Sequence, residues 1–155
     1  MLVTRERLDE LIDQANAPCV SFFMPTMIAG AETRQNPIRF KNLVTDAEAK
    51  LAAAGVEQAT ADSILERAWR LHEDFQFWQH QSRGLAVYFS SAATVAHRLP
   101  YELPEAVTVG DRPQVKPLLP LLTGDGRFYV LAFSLQRVRF FEGSRDALRE
   151  LQVAG

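Results

Sequence analysis

The stretch NPIRFKNLVTDAEAKLAAAG, residues 36–55, carries the clearest helical pattern in the chain. Asn36 can accept a hydrogen bond from the free N–H groups of a first turn, and Pro37 suits the first helical position. Gly55 supplies a left-handed stop. If Asn36 is the cap, its replacement by Ala costs about 1 kcal/mol. Six apolar residues at helical spacing predict one buried stripe, formed by Phe40, Leu43, Val44, Ala47, Leu51 and Ala54.

Both helical and strand patterns surround this stretch. Four further helices are predicted, at about 5–15, 60–80, 115–122 and 145–151. Six strands are predicted, at about 19–24, 85–89, 94–99, 106–109, 128–133 and 137–141. This order predicts an α/β (mixed α+β) fold, with a central mixed sheet of about five to six strands and helices packed on it. We expect one domain over 1–126, and over 127–155 a hairpin with a helix that starts a second, truncated domain. So short a piece buries too little core alone, and the alternative is that its strands complete the first sheet.

The composition excludes several classes of protein. In the 155 residues, 17 Lys and Arg face 19 Asp and Glu, a net charge of −2 that argues against coating DNA by bulk charge. An apolar content of 47 % is typical of a packed chain, not a disordered one. We expect no membrane partner, because the sequence has no apolar run long enough to span one. The single cysteine, Cys19, cannot form an internal disulfide and predicts a cytoplasmic location.

Several segments, taken together and in order, resemble a known family. Residues 109–112, 116–122, 125–128 and 139–145 resemble the junction between the N-terminal and central domains of archaeo-eukaryotic release factors and their Pelota relatives. Pro25-Thr26, residues 34–43 and residues 77–82 resemble the bacterial members of that superfamily. The likeness spans most of residues 18–150.

The resemblance implies the N-terminal domain, with the start of the central domain, of a multidomain protein that binds the ribosomal A site. Termination, ribosome rescue and hibernation are the roles that it implies. The hydrolytic Gly-Gly-Gln and the codon-reading Asn-Ile-Lys-Ser of the family are absent from the sequence. Met27 stands where bacterial relatives carry His, and Pro113-Gln114 where a Phe-His pair is usual. We therefore expect a non-catalytic binding domain with no cofactor and no metal, whose partner is the ribosome and its RNA.

Two groups of basic residues are candidate phosphate contacts. Arg34, Asn36, Arg39 and Lys41 lie where a loop enters the long helix, and a helix N-terminus attracts anions. The alternative for this group is a solvated stripe, because Arg39 shares a helical face with Asp46 and Lys50.

Arg137 and Arg139 form the second group, on one face of a predicted strand. They are candidate RNA contacts. The alternative is a strand edge that is guarded by charge against aggregation.

Other chemistry-bearing residues have plain structural interpretations. Phe75, Phe77 and Trp78 could stack on bases, but such clusters more often close a core. His72, His80 and His97 are too scattered for a metal site, and Cys19 in a buried strand is a small apolar filler.

Two rivals to the release-factor hypothesis remain. The first is a homodimerising interaction module that uses the apolar hairpin 128–141. The second is a small-molecule hydrolase that uses the loop 25–36, where Thr26, Thr33 and Gln35 could line a pocket. No pair of base and nucleophile is visible in that loop, and the sequence predicts no catalytic residue.

Overall fold

The computed structural model describes residues 5–14, 17–123, 128–133, 138–143 and 148–151. Within them the helices are α1 (Arg5–Gln14), α2 (Gln35–Ala53), α3 (Gln58–Glu73), α4 (Phe75–Gln79) and α5 (Pro120–Thr123). The strands are β1 (Cys19–Pro25), β2 (Gly84–Phe89), β3 (Thr94–Leu99), β4 (Ala106–Gly110), β5 (Phe128–Phe133), β6 (Val138–Gly143) and β7 (Leu148–Leu151). Short 3-10 helices cover Ala31–Arg34 and Lys116–Leu118. The chain divides into two units, residues 1–117 and 118–155.

The predicted mixed α/β class is confirmed, but the strands form two sheets instead of one. In the first unit the strand order is β3-β2-β1-β4, and every neighbouring pair is antiparallel. In the second unit β5, β6 and β7 form an antiparallel sheet of their own, in that order. Short local connections favour antiparallel pairing between strands that follow one another, which is how β5, β6 and β7 are arranged.

The helices α2 and α3 cover one face of the four-stranded sheet. Phe22 of β1 lies at the centre of this layer, with ring centroids 5.3 Å from Phe40 and 5.1 Å from Phe89. The predicted stripe of α2 is buried as far as Leu51, whereas Ala54 lies beyond the last helical residue and is exposed. Gly55 has the expected positive φ, +70°, at the stop.

The other face of this sheet carries polar side chains that bind an irregular segment. Ser21 of β1 accepts a hydrogen bond from the backbone N–H of Gln114 at 3.0 Å. The Tyr88 hydroxyl donates to the carbonyl of Gln114 at 2.9 Å. Side chains alternate across a strand, so Ser21 and Tyr88 lie opposite the helical layer. Polar contacts of Ser21 and Tyr88 thus hold this segment on a sheet face that also carries the buried side chain of Phe23.

The predicted helix 60–80 is interrupted at Asp74. That residue is extended, with ψ 92°, and its carboxylate accepts the N–H of Phe77 at 3.0 Å, so it caps α4. The predicted helix 115–122 is reduced to the 3-10 turn Lys116–Leu118 and the single turn of α5. Pro117 and Pro120 each remove a backbone donor from this segment, which prevents one continuous helix.

The predicted final helix 145–151 is wrong, because Leu148–Leu151 is strand β7 paired with β6. Arg149 donates to Glu142 at 2.7 Å, and Arg139 donates to Glu150 at 3.0 and 2.7 Å. These ion pairs join side chains on neighbouring strands, a tertiary contact that helical propensity alone does not reveal.

The outer edge of β4 is contacted by the helix that covers it. The Lys50 ammonium donates to the backbone carbonyl of Val107 at 2.7 Å and lies 3.3 Å from the Asp46 carboxylate. Lys50 thus bonds a main-chain acceptor of the last strand in the sheet.

In the part of the chain that the structure describes, no helix combines the length and the apolar character needed to cross a membrane.

Candidate functional site

A cleft of about 590 Å³ opens in the first unit, beside the start of α2. One wall is the loop that follows β1, together with the first residues of the helical segment; the other is the end of α3 with α4. The lining residues are Ile28, Ala29, Gly30, Thr33, Arg34, Pro37, His72, Glu73, Phe75, Trp78 and Gln79. Its volume lies in the range of small-ligand sites.

Asn36 holds the loop wall in place. Its side-chain oxygen accepts the backbone N–H of Met27 at 2.9 Å, and its side-chain nitrogen donates to the carbonyl of Met27 at 2.9 Å. Residue 36 is only 1 % exposed. The predicted roles of Asn36 as helix cap and as phosphate contact are therefore both corrected: its amide is used inside the protein.

The capping prediction was wrong because the helical backbone begins earlier than Asn36. The 3-10 turn Ala31–Arg34 runs directly into α2, whose first residue is Gln35. Pro37 still lies in the first turn, where its missing N–H costs nothing. Gly30 precedes the 3-10 turn with φ +86°, a conformation that favours glycine.

A second contact ties the loop to the residues just before β2, the strand whose Gly84 pairs with Pro25 of β1. The Thr26 hydroxyl donates to the carbonyl of Ser82 at 2.6 Å, and the Thr26 N–H donates to the carbonyl of Arg83 at 2.9 Å. The Thr33 hydroxyl donates to the carbonyl of Gly30 at 2.8 Å. The loop predicted to carry function is thus fixed by local polar contacts.

The aromatic wall joins one anchored ring and one exposed ring. The Trp78 indole N–H lies 3.0 Å from the carbonyls of both Leu71 and His72, at the end of α3, and donates to them. The Trp78 ring packs on Phe40, with centroids 5.2 Å apart. Phe75, in contrast, is 75 % exposed. The expectation that these aromatics close the core holds for Trp78 and not for Phe75.

The structure separates the basic residues predicted around the start of α2. Arg34 lines the cleft and is exposed, and Lys41 is exposed two turns further along. Within the described residues neither side chain has an ion-pair partner. Arg39 lies 3.6 Å from Glu105, and Lys50 is paired with Asp46, so that stripe matches the solvated alternative.

In the second unit, the described candidate RNA contact is Arg139 of β6. Arg139 forms two hydrogen bonds with Glu150, which raise the pKa of its guanidinium. Its guanidinium carbon also lies 5.0 Å from the centroid of the Phe141 ring. Arg137 falls outside the described residues. The contacts of Arg139 are those of a cross-strand ion pair.

Cys19 and His97, two buried titratable residues, lie in the sheet and do not line the cleft. Burial raises the pKa of the Cys19 thiol to about 11, so the thiol stays protonated. Burial, followed by the nearby charge of Arg7, lowers the pKa of His97 below its usual range. Neither ring nitrogen of His97 has a hydrogen-bond partner.

The described residues contain no group of three or more His, Cys, Asp or Glu side chains that could hold a metal ion. Among the residues that line the cleft there is no nucleophile in contact with a base: the Thr33 hydroxyl is bonded to Gly30 and the indole of Trp78 to backbone carbonyls. The arrangement can hold a small ligand through an arginine, aromatic surface and a few polar groups.

Sequence reasoning treated the loop 25–36 and the aromatic cluster 75–78 as separate features, and it did not place them on two walls of one cleft. The sequence signal that could have revealed the second wall is Asp74-Phe75. Asp is a favoured N-cap residue, so Asp74 could have indicated that a new helix begins at Phe75 and that the chain changes direction after α3.

Comparison with known proteins gives a likeness in fold only. No protein family and no curated protein matches the chain. A solved structure described as an archaeal protein superposes with a TM-score of 0.52 at 10 % sequence identity. The alignment covers 95 % of this chain and 42 % of that protein, so the chain spans less than half of its length.

Proposed function

We propose that the first unit is the ribosome-facing, RNA-binding domain of a bacterial release-factor-like protein in the cytoplasm. The observation that carries this proposal is the pair of exposed cations, Arg34 and Lys41, which have no ion-pair partner among the described residues. The resemblance of residues 34–43 and 77–82 to that superfamily supplies the ribosome as partner. The location rests on the single, buried cysteine.

The spacing of the two cations suits a contact with a nucleic-acid backbone. Arg34 ends the 3-10 turn that runs into α2, and its own backbone is helical, with φ −62° and ψ −22°. Seven residues make about two helical turns, so Arg34 and Lys41 lie on the same side of this continuous segment, about 10 Å apart along its axis. Arginine and lysine on one side can neutralise phosphates without reading sequence. The role is binding and positioning, because the cleft beside Arg34 holds no pair of nucleophile and base.

A salt titration of binding to ribosomes tests this proposal. If two phosphates are neutralised, the logarithm of the association constant falls with the logarithm of salt concentration with a slope of about −1.4 to −1.8. Arg34→Gln combined with Lys41→Gln should abolish most of this slope. The matched control is Arg70→Gln, which removes an exposed arginine that is paired with Glu66 on α3. Binding that ignores salt, or that the double variant leaves unchanged, contradicts the proposal.

The second unit favours a different candidate function, a homodimer formed through its sheet. Leu148 is 62 % exposed on β7, and β7 is an edge strand of that sheet. An exposed apolar side chain on an open edge is typical of strand pairing between chains. Sedimentation equilibrium should then show a dimer that Leu148→Lys dissociates, and a monomer at all concentrations contradicts this candidate.

A further inference from the structure

The cleft between the loop wall and the aromatic wall has exposed apolar side chains that the proposed contact with ribosomal phosphates does not use. Ile28 from one wall and Phe75 from the other are both exposed, at 58 % and 75 %. Large apolar side chains that are left in water beside a concavity often mark a binding site. Phe75 also has no part in the core, so its exposure needs another explanation.

Trp78, one of the two rings of the aromatic wall, is held in place by contacts within the protein. Trp78 is held by its two hydrogen bonds to α3 and by its contact with Phe40. Phe75 begins α4, the turn that Asp74 caps. Side chains that are already ordered lose little conformational entropy when they bind a flat ring, which strengthens stacking.

The positive charge of Arg34, on the loop wall, indicates that the ligand carries an anionic group. Arg34 lies at the cleft with no carboxylate partner among the described residues, and its guanidinium can bind a phosphate through two parallel hydrogen bonds. The cleft also contains one acidic residue, Glu73, so its charged lining residues cancel. A lining of this kind matches one phosphate better than a chain of phosphates.

We propose that this cleft binds one nucleoside monophosphate unit, with the base against Phe75 and Trp78 and the phosphate at Arg34. The unit is either a free mononucleotide or the 5′-phosphorylated end of an RNA strand. A volume of about 590 Å³ accommodates one such unit. The inference does not depend on ribosome binding, since it rests on different side chains except for Arg34.

Titration of the chain with AMP, CMP, GMP and UMP tests the proposal. Binding is followed by calorimetry and by the fluorescence of Trp78 in a Trp69→Phe background, because Trp69 is the second tryptophan of the chain. We expect dissociation constants below about 1 mM for the mononucleotides. Ribose 5-phosphate lacks the base and adenosine lacks the phosphate, so each should bind at least about tenfold more weakly than AMP. If ribose 5-phosphate binds as tightly as AMP, or if no mononucleotide binds, the proposal is wrong.

Variants locate the site. Phe75→Leu keeps an apolar side chain but removes the ring, and should weaken AMP binding about tenfold, whereas Phe75→Tyr should retain it. Arg34→Gln should weaken AMP binding and leave the affinity for adenosine unchanged. The control Ile38→Ala removes an exposed apolar side chain from α2 outside the cleft and should change neither. Full affinity in Phe75→Leu contradicts the proposed stacking.

Two further measurements distinguish a free nucleotide from an RNA end, and test the nucleotide proposal independently of the ribosome proposal. A trinucleotide with a 5′-phosphate that binds more tightly than AMP supports an RNA end as the ligand, and tighter binding of AMP supports a free nucleotide. Lys41→Gln should weaken ribosome binding and leave AMP binding intact, while Phe75→Leu should preserve the salt slope for ribosomes. Loss of ribosome binding therefore leaves the nucleotide proposal standing, and the reverse also holds.

Discussion

The helical face of the four-stranded sheet and the cleft beside α2 are built in different ways. The face is a layer of apolar side chains from five elements, in which each ring contacts several others, as Phe22 contacts Phe40 and Phe89. The cleft depends on a few hydrogen bonds made by single residues, above all Asn36 with Met27 and Asp74 with Phe77. The core is thus secured by many contacts, whereas the shape of the cleft depends on individual polar groups.

The largest effect is expected in the core. Phe22→Ala should lower the free energy of unfolding by about 3–5 kcal/mol, because it removes a fully buried ring and leaves a cavity. Urea unfolding measures the change. Phe75→Ala removes the same side chain from the cleft and should stay within about 0.5 kcal/mol of the parent protein. Equal losses in the two variants would contradict the contrast between core and cleft.

Asn36→Asp tests whether the Asn36 side chain holds the backbone of Met27 or caps α2. Asp serves as well as Asn at a cap, but in the observed position it loses the donor to Met27 and buries a charge beside that carbonyl. We expect a loss of about 2–3 kcal/mol and faster amide exchange at Met27. Asn42→Asp, at an exposed position of the same helix, is the control and should be nearly neutral. A neutral Asn36→Asp would restore the capping interpretation.

The buried His97 of β3 predicts a dependence of stability on pH. Because burial lowers the pKa of His97 in the folded state, the unfolded chain binds more protons once the pH falls below the ordinary histidine value, about 6.5. The stability contribution of neutral His97 is complete above that pH and is lost as the pH falls toward the folded pKa. The loss is at most about 1.4 kcal/mol per pH unit.

His97→Leu should remove this part of the acid sensitivity and leave stability at pH 8 unchanged or higher, since both ring nitrogens are buried without partners. Denaturant unfolding of parent and variant from pH 5 to 8 measures the difference. Parallel pH profiles would mean that His97 does not gain a proton on unfolding.

Asp74→Ala should lower the free energy of unfolding by about 1 kcal/mol, because it removes the cap of α4 and nothing from the core. Asp74→Asn retains an acceptor and should recover most of it. Hydrogen exchange at the Phe77 amide reports the cap directly: exchange as slow in Asp74→Ala as in the parent protein would show that the carboxylate does not hold this turn.

The same contrast explains how far the sequence predicts the structure. The spacing of apolar residues correctly predicted the α2 stripe and all four strands of the first sheet, because burial leaves a repeating pattern in the sequence. Asn36 was misjudged because one amide side chain can satisfy a helix end or a loop equally well. β7 was missed because its ion pairs, Arg149 with Glu142 and Arg139 with Glu150, are visible only when the strands lie side by side.

The cleft itself was beyond sequence reasoning for a related reason. Its two walls are about forty residues apart along the chain, in the loop 28–37 and in residues 72–79. They meet because α2 and α3 run back along each other, and Phe40 on one supports Trp78 after the other. Arg34 and the aromatic cluster were both identified as candidates, but only packing shows that they face one space.

The contact between Lys50 and Val107 has a consequence for how the protein behaves at high concentration. An open β-sheet can grow by recruiting a strand from a neighbouring molecule, the first step toward fibrils. Here an acceptor on the outer rim of β4 is already occupied, and the occupant carries a positive charge that an incoming strand would have to displace. Acetylation of this lysine would remove that charge without touching the core, so an incoming strand would meet a neutral side chain at this point of the rim.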